Sequence, residues 1–185
     1  MKMDKVAGSK NDEFYTPLYA IKPIEKHLKR RSKVWCPFDN KQSLFVKYLA
    51  SKGHEVLGTH IENGEDFFEL INSDIADWAD CIISNPPYSL KTEVLEVLFD
   101  SEKPFGMLLG VVGLFESQKR FETFRDNEFE VMYMNRRVSY MSDYTSGKTE
   151  NNPPFSSVYL TSKLLKQKVV FEEINKKEIL QEENE

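Results

Sequence analysis

Asn85-Pro86-Pro87-Tyr88 is the segment of this chain best suited to chemistry. It follows the apolar run Cys81-Ile82-Ile83, so it reads as a rigid turn closing a buried strand. Consecutive prolines fix φ and remove backbone donors, which frees nearby carbonyls to accept hydrogen bonds from another molecule. An amide side chain, a fixed carbonyl and an aromatic ring together suit a planar group that carries an NH2. A near copy, Asn152-Pro153-Pro154-Phe155, occurs later. Context separates the two. The second copy follows the polar stretch from Tyr144 to Asn151 and reads as an entry into the strand Ser156-Leu160, whereas only the first has a strand before it and a helix after it.

The elements that must hold the first copy alternate along the chain. Val34-Trp35-Cys36 reads as a strand, Leu44, Phe45, Tyr48 and Leu49 recur at helical spacing, and Glu55-His60 is the next strand. Asp80-Ser84 precedes the Asn-Pro-Pro-Tyr turn, and Val94, Leu95 and Leu98 mark a helix with Ser89 placed to cap it. Strands follow at 105–112, 130–134, 158–160 and 169–171, with a short helix around Phe121 and Phe124. This rhythm predicts an α/β, Rossmann-like sheet, mainly parallel and covered on both faces. The absence of a helical pattern between Met134 and Val158 predicts an antiparallel closing strand pair. Ligands of such sheets bind outside the carboxyl ends of the strands. The ends available are Cys36-Asp39, His60-Glu62 and Ser84-Pro87, and all carry polar or geometrically special residues.

The 185 residues fit one domain, read as 1–171 with an acidic C-terminal tail at 172–185, either helical or disordered. The longest apolar stretch, near Met107-Leu114, is too short to span a bilayer. Met1-Lys10 is polar and lacks the apolar core of a secretory signal. Cys36 and Cys81 read as buried free thiols, and no Cys/His spacing suits a metal. A cytoplasmic protein is expected, with no membrane partner and an oligomeric state left open. The net charge is −5, and six Glu against two Lys fall after Phe171, so the body is near neutral. Lys22, Lys26, His27, Lys29, Arg30, Arg31 and Lys33 form one basic cluster, and Arg136 with Arg137 a smaller one. Either could meet phosphates or be a solvated face.

Asn85-Pro86-Pro87-Tyr88 resembles the catalytic motif of the amino-methyltransferases, which use S-adenosyl-L-methionine to methylate an exocyclic base amine or a glutamine amide. The resemblance covers most of residues 11–162 and is greatest to the DNA adenine-N6 methyltransferases of bacteria and phages. Glu13-Phe14-Tyr15-Thr16-Pro17 is similar to the segment whose aromatic-Thr-Pro holds the methionine part of the cofactor. Cys36-Pro37-Phe38-Asp39-Asn40-Lys41-Gln42 stands where the family has a glycine-rich Asp-Pro-Phe turn, but Asn40 and Gln42 replace its glycines and Cys36 its acid. His60-Ile61-Glu62 occupies the place of the ribose-binding acid, and Asp66-Phe67 that of the element whose carboxylate meets the cofactor's adenine amine. The resemblance implies a cofactor pocket of Tyr15, Thr16, Pro17, Pro37, Phe38, Asp39, His60, Ile61, Asp66 and Phe67. It implies that Asn85 and Pro86 accept the substrate amine's N–H bonds, that Pro87 fixes the turn, and that Tyr88 stacks on the base. No metal is required. The Val138-Asn152 loop offers Tyr140, Tyr144 and Lys148 as base or backbone contacts, with an ordinary hairpin as the alternative. DNA is the expected partner, bound weakly and salt-sensitively. The alternatives are an RNA or protein-glutamine substrate, or a degenerate domain that binds without catalysis.

Overall fold

The computed structural model describes residues 14–151 and 154–180. Seven strands form one sheet: β1 (Lys33–Cys36), β2 (Glu55–Gly58), β3 (Cys81–Ser84), β4 (Phe105–Gly110), β5 (Glu130–Met134), β8 (Ser157–Ser162) and β9 (Val169–Glu172). Their order is β2-β1-β3-β4-β8-β5-β9. β8 lies antiparallel to both β4 and β5, and the other pairings are parallel. The α/β sheet expected from the sequence is thus present, and the antiparallel strand is inserted beside β5 rather than appended at the margin. β3, β4 and β8 are buried at every position, as central strands covered on both faces must be.

Side chains alternate between two core layers. Val34, Cys36, Cys81, Ile83 and Leu108 face α1 (Leu18–Glu25) and α2 (Leu44–Ser51). Trp35, Ile82, Met107 and Leu109 face the other layer, built from α3 (Phe67–Leu70), α4 (Asp74–Trp78), α5 (Lys91–Asp100) and residues around α6 (Gln118–Asp126). A small hairpin of β6 (Tyr140–Met141) and β7 (Thr149–Asn151) stands apart from the main sheet and bridges to Tyr15. It occupies the segment read as a loop. In the second Asn-Pro-Pro copy, Asn152 and Pro153 lie outside the described residues.

The boundary expected after residue 171 falls inside β9, and as far as Leu180 the chain is neither helical nor detached. It packs back on α1. Pro17 gives α1 no side-chain cap, so its first N–H groups find carbonyls elsewhere: Leu18 donates to Ile179 (2.8 Å) and Tyr19 to Glu178 (2.9 Å). Ile174 is buried in the same core layer. Glu178 pairs with Lys22, and Glu172 meets Lys26 at 2.7 Å and His27 at 3.0 Å. The acidic segment therefore pairs with three of the seven members of the basic cluster that the sequence offered to phosphates.

Candidate active site

β3 ends at the fully buried Ser84, and Asn85 follows with its amide held from one side. Asn85 Nδ2 donates to the Phe14 carbonyl (3.0 Å) and to Thr16 Oγ1 (3.2 Å). A carbonyl can only accept, so Phe14 fixes which way the amide points. Asn85 Oδ1 is thereby left buried, with no hydrogen-bond partner among the described residues. Leaving a buried acceptor unmet costs about 1–3 kcal/mol, which is why such atoms are rare and call for a reason. Pro86 is buried, and the Pro87 carbonyl accepts from Leu90 N (3.0 Å), opening the 3-10 turn Tyr88–Leu90 that runs into α5.

Tyr88 is fixed at both ends. Its ring stacks on Phe14, with centroids 5.0 Å apart and planes at 28°, and it tilts against Phe155 at 5.6 Å. Its hydroxyl meets that of Tyr140 at 2.6 Å, and Tyr140 meets Ser157 Oγ at 2.9 Å. Burial raises Tyr140 to about 12 and pushes Tyr88 well up, so both phenols stay neutral and keep their protons. Tyr140, expected as a base contact, is instead buried behind Tyr88. Tyr144 packs edge-on against Tyr15 at 4.6 Å, and Lys148 is exposed. Sequence reasoning gave no role here to the rings of Phe14 and Phe155. The one available signal was glycine: a Cβ on Gly110 would lie 2.8 Å from the Phe155 ring, so the end of β4 must be bare for that ring to lie over it.

The turn after β1 is built in the opposite manner. Asp39 is buried, and its two oxygens accept from the hydroxyls of Ser43 and Ser84. Burial raises its carboxyl to about 6 despite those bonds. Phe38 N donates to Ser84 Oγ (3.3 Å), so the first and third strand ends are clamped together. Positive φ does not occur at Asn40 or Gln42. Asn40 Oδ1 accepts from Gln42 N (2.9 Å), and Ser43 caps α2 through Phe45 N. The turn thus closes with an Asx bond and a serine cap, and the missing glycines are not needed for its backbone. Glycine is needed instead at Gly58, where a Cβ would lie 2.6 Å from the Asp39 carbonyl.

At the end of β2, His60 Nδ1 accepts from Glu62 N (3.3 Å), while the Glu62 side chain is 67% exposed with its carboxylate 3.5 Å from the same ring nitrogen. Ile61 is half-buried. Asp66 caps α3 through Phe68 N (2.9 Å). Phe67 is fully buried against Phe38 and Trp35, so it supports this wall from behind and offers no open face. Pro37, Thr16 and Pro17 are buried and Tyr15 half-buried. The structure therefore brings residues 14–16 to Asn85, and Phe38 and Asp39 to Ser84.

No protein-family profile matches the chain, and no curated protein does. Among solved structures it is similar to a modification subunit attributed to a type I restriction enzyme from Vibrio vulnificus YJ016, with a TM-score of 0.53 and 12% identity. The match covers 84% of this chain and 45% of that one, so the chain spans less than half of that subunit. At this identity the likeness is one of fold: the α/β sheet of a modification subunit. Among the described residues no helix is long and apolar enough to cross a membrane.

Proposed function

We propose that the protein transfers a methyl group from S-adenosyl-L-methionine to the N6 amine of adenine in DNA. The observation that carries this reading is Asn85 Oδ1: a buried acceptor without a partner, on an amide held by its nitrogen, at the carboxyl end of a central strand. An exocyclic amine is a poor nucleophile because its lone pair is delocalised into the ring. Accepting its N–H bonds at Asn85 Oδ1 and the Pro86 carbonyl localises that lone pair. The double proline holds the carbonyl rigid, and preorganised dipoles are where electrostatic catalysis gains most. A base in duplex DNA must leave the stack to reach this turn. The fold's likeness to a modification subunit supports DNA as the substrate.

The donor set at the neighbouring strand ends fits the cofactor. Glu62 offers an exposed carboxylate for a ribose diol, while Asp66 is buried and caps α3. When bound, S-adenosyl-L-methionine supplies an electrophilic methyl group. Thr16 accepts from Asn85 Nδ2, and in this reading the segment Tyr15-Thr16-Pro17 holds the methyl donor beside the amine. Positioning of this kind supplies much of the rate in methyl transfer. The test is mass spectrometry of nucleosides from DNA and RNA incubated with the protein and labelled cofactor. N6-methyladenine in DNA is expected. Label found only in protein or in RNA guanine would refute the reading.

A further inference from the structure

The two basic clusters of the sequence meet different fates. In the first, Lys22, Lys26 and His27 pair with Glu178 and Glu172. The remaining cations, Lys29, Arg30 and Arg31, lead into Lys33, the first residue of β1. β1 and β3 are parallel, so these side chains lie at the end of the sheet opposite Asn85. A polynucleotide reaching the catalytic turn would not meet them.

The second cluster lies at the other end. β5 runs parallel to β4, and β4 parallel to β3, because β8 reverses direction between β4 and β5. The loop leaving β5 after Met134 therefore emerges on the same side as Asn85. This loop is pinned at both ends. Asn135 N donates to the Glu172 carbonyl (3.1 Å), and its Oδ1 accepts from Ile174 N (3.0 Å). Ser139 N donates to Tyr19 Oη (2.8 Å), and Lys176 Nζ donates to Ser139 Oγ (2.7 Å). Val138 is fully buried. Between the pins only Arg136 and Arg137 point outward, and both are exposed. No carboxylate among the described residues pairs with either. The next residue after Ser139 is Tyr140, which holds the hydroxyl of Tyr88.

We infer that the Arg136-Arg137 loop is the phosphate-binding rim of the active site, gripping the DNA backbone beside the nucleotide presented to Asn85. This rests on the DNA reading above. Two guanidinium groups on a pinned loop lose little freedom on binding, and guanidinium is the cation best matched to phosphate oxygens. The loop reads no sequence: backbone contacts set position and register, while base edges carry specificity.

The experiment is fluorescence anisotropy of a labelled duplex oligonucleotide over a salt series, with the wild type, the double variant Arg136→Gln/Arg137→Gln, and the control Lys29→Gln/Arg30→Gln. All four side chains are exposed, so thermal unfolding should match the wild type in both variants. Each lost phosphate contact lowers the slope of log affinity against log salt by about 0.9, so the arginine variant should lose roughly 1.8 and bind at least ten-fold more weakly at low salt. The control should keep the wild-type slope. An unchanged slope in the arginine variant, or an equal loss in the control, overturns this inference and leaves the methyltransferase reading standing. A wild type that binds no duplex at low salt overturns both.

Discussion

The turns after β1 and β3 sit side by side at one end of the sheet and are wired in opposite ways. In the first, Asp39 has both oxygens satisfied from within, by Ser43 and Ser84, and every polar bond serves to hold the turn. In the second, Asn85 is satisfied on its nitrogen and bare on its oxygen. A fully bonded buried group holds the fold, whereas one left half-bonded calls for a reason, which the proposed function supplies as a substrate amine. The shared residue is Ser84, which donates to Asp39 while the next residue along carries the open acceptor. The carboxylate therefore acts on the Asn85 turn by bracing it.

The largest expected effect tests the open oxygen. Asn85→Ala should lower kcat for DNA methylation by roughly 10²–10³-fold, the range seen when one preorganised hydrogen-bonding group is removed from an active site. Cofactor affinity, measured by calorimetry, should stay within a few-fold. Thermal stability should change little, because relief of the buried unmet oxygen offsets the loss of the two hydrogen bonds that Nδ2 gives to Phe14 and Thr16. A large loss of stability with intact activity would reverse the roles assigned to the two turns.

The braced carboxylate makes a prediction in pH. The Asp39 carboxyl rises from its ordinary 3.8 to about 6 in the fold. Between those values the native state keeps a proton that the unfolded chain has released, so stability falls as pH rises from about 4 to about 6. The shift corresponds to about 3 kcal/mol at most. Asp39→Asn keeps an acceptor for one serine and offers a donor to the other, without the charge. Urea unfolding at pH 4 and pH 7 should show the variant gaining on the wild type at the higher pH by up to that amount. An equal pH response in both proteins would show that Asp39 is not buried as a charge.

How much of this could be read from the sequence depends on whether the signal was local. All seven strands of the main sheet and the turn after β3 were legible, because apolar runs ending at Pro, Gly or polar residues are local features. α1 was not legible: Pro23 lies inside it, and its cations hid an apolar face formed by Leu18, Tyr19, Ile21 and Ile24. The docking of residues 173–180 on α1 depends on pairs more than 140 positions apart, such as Lys22 with Glu178 at 156, which no local pattern encodes. Among the site residues, Phe67 was read as part of the pocket and is core, because a buried aromatic and a pocket aromatic look alike in one dimension. The glycine-less turn looked defective for a related reason. Glycine marks where positive φ is needed, and this backbone does not go there.

The smallest effect, and the sharpest test of the comparison, concerns Thr16. Family resemblance gives this residue to the cofactor, but in the structure its oxygen accepts from Asn85 Nδ2 at 3.2 Å. If the hydroxyl serves the catalytic amide, its loss frees one hydrogen of Asn85 and loosens the presentation of Oδ1, while the Phe14 carbonyl keeps the amide from flipping. Thr16→Val, which keeps the shape and removes the acceptor, should then cost about 1 kcal/mol, roughly five-fold in kcat. KM for the cofactor should be unchanged, since an interaction that matters chiefly in the transition state appears in kcat. Thr16→Ser should restore the rate. A rise in cofactor KM with kcat unchanged would assign Thr16 to the cofactor wall and leave Phe14 alone as the partner that orients Asn85.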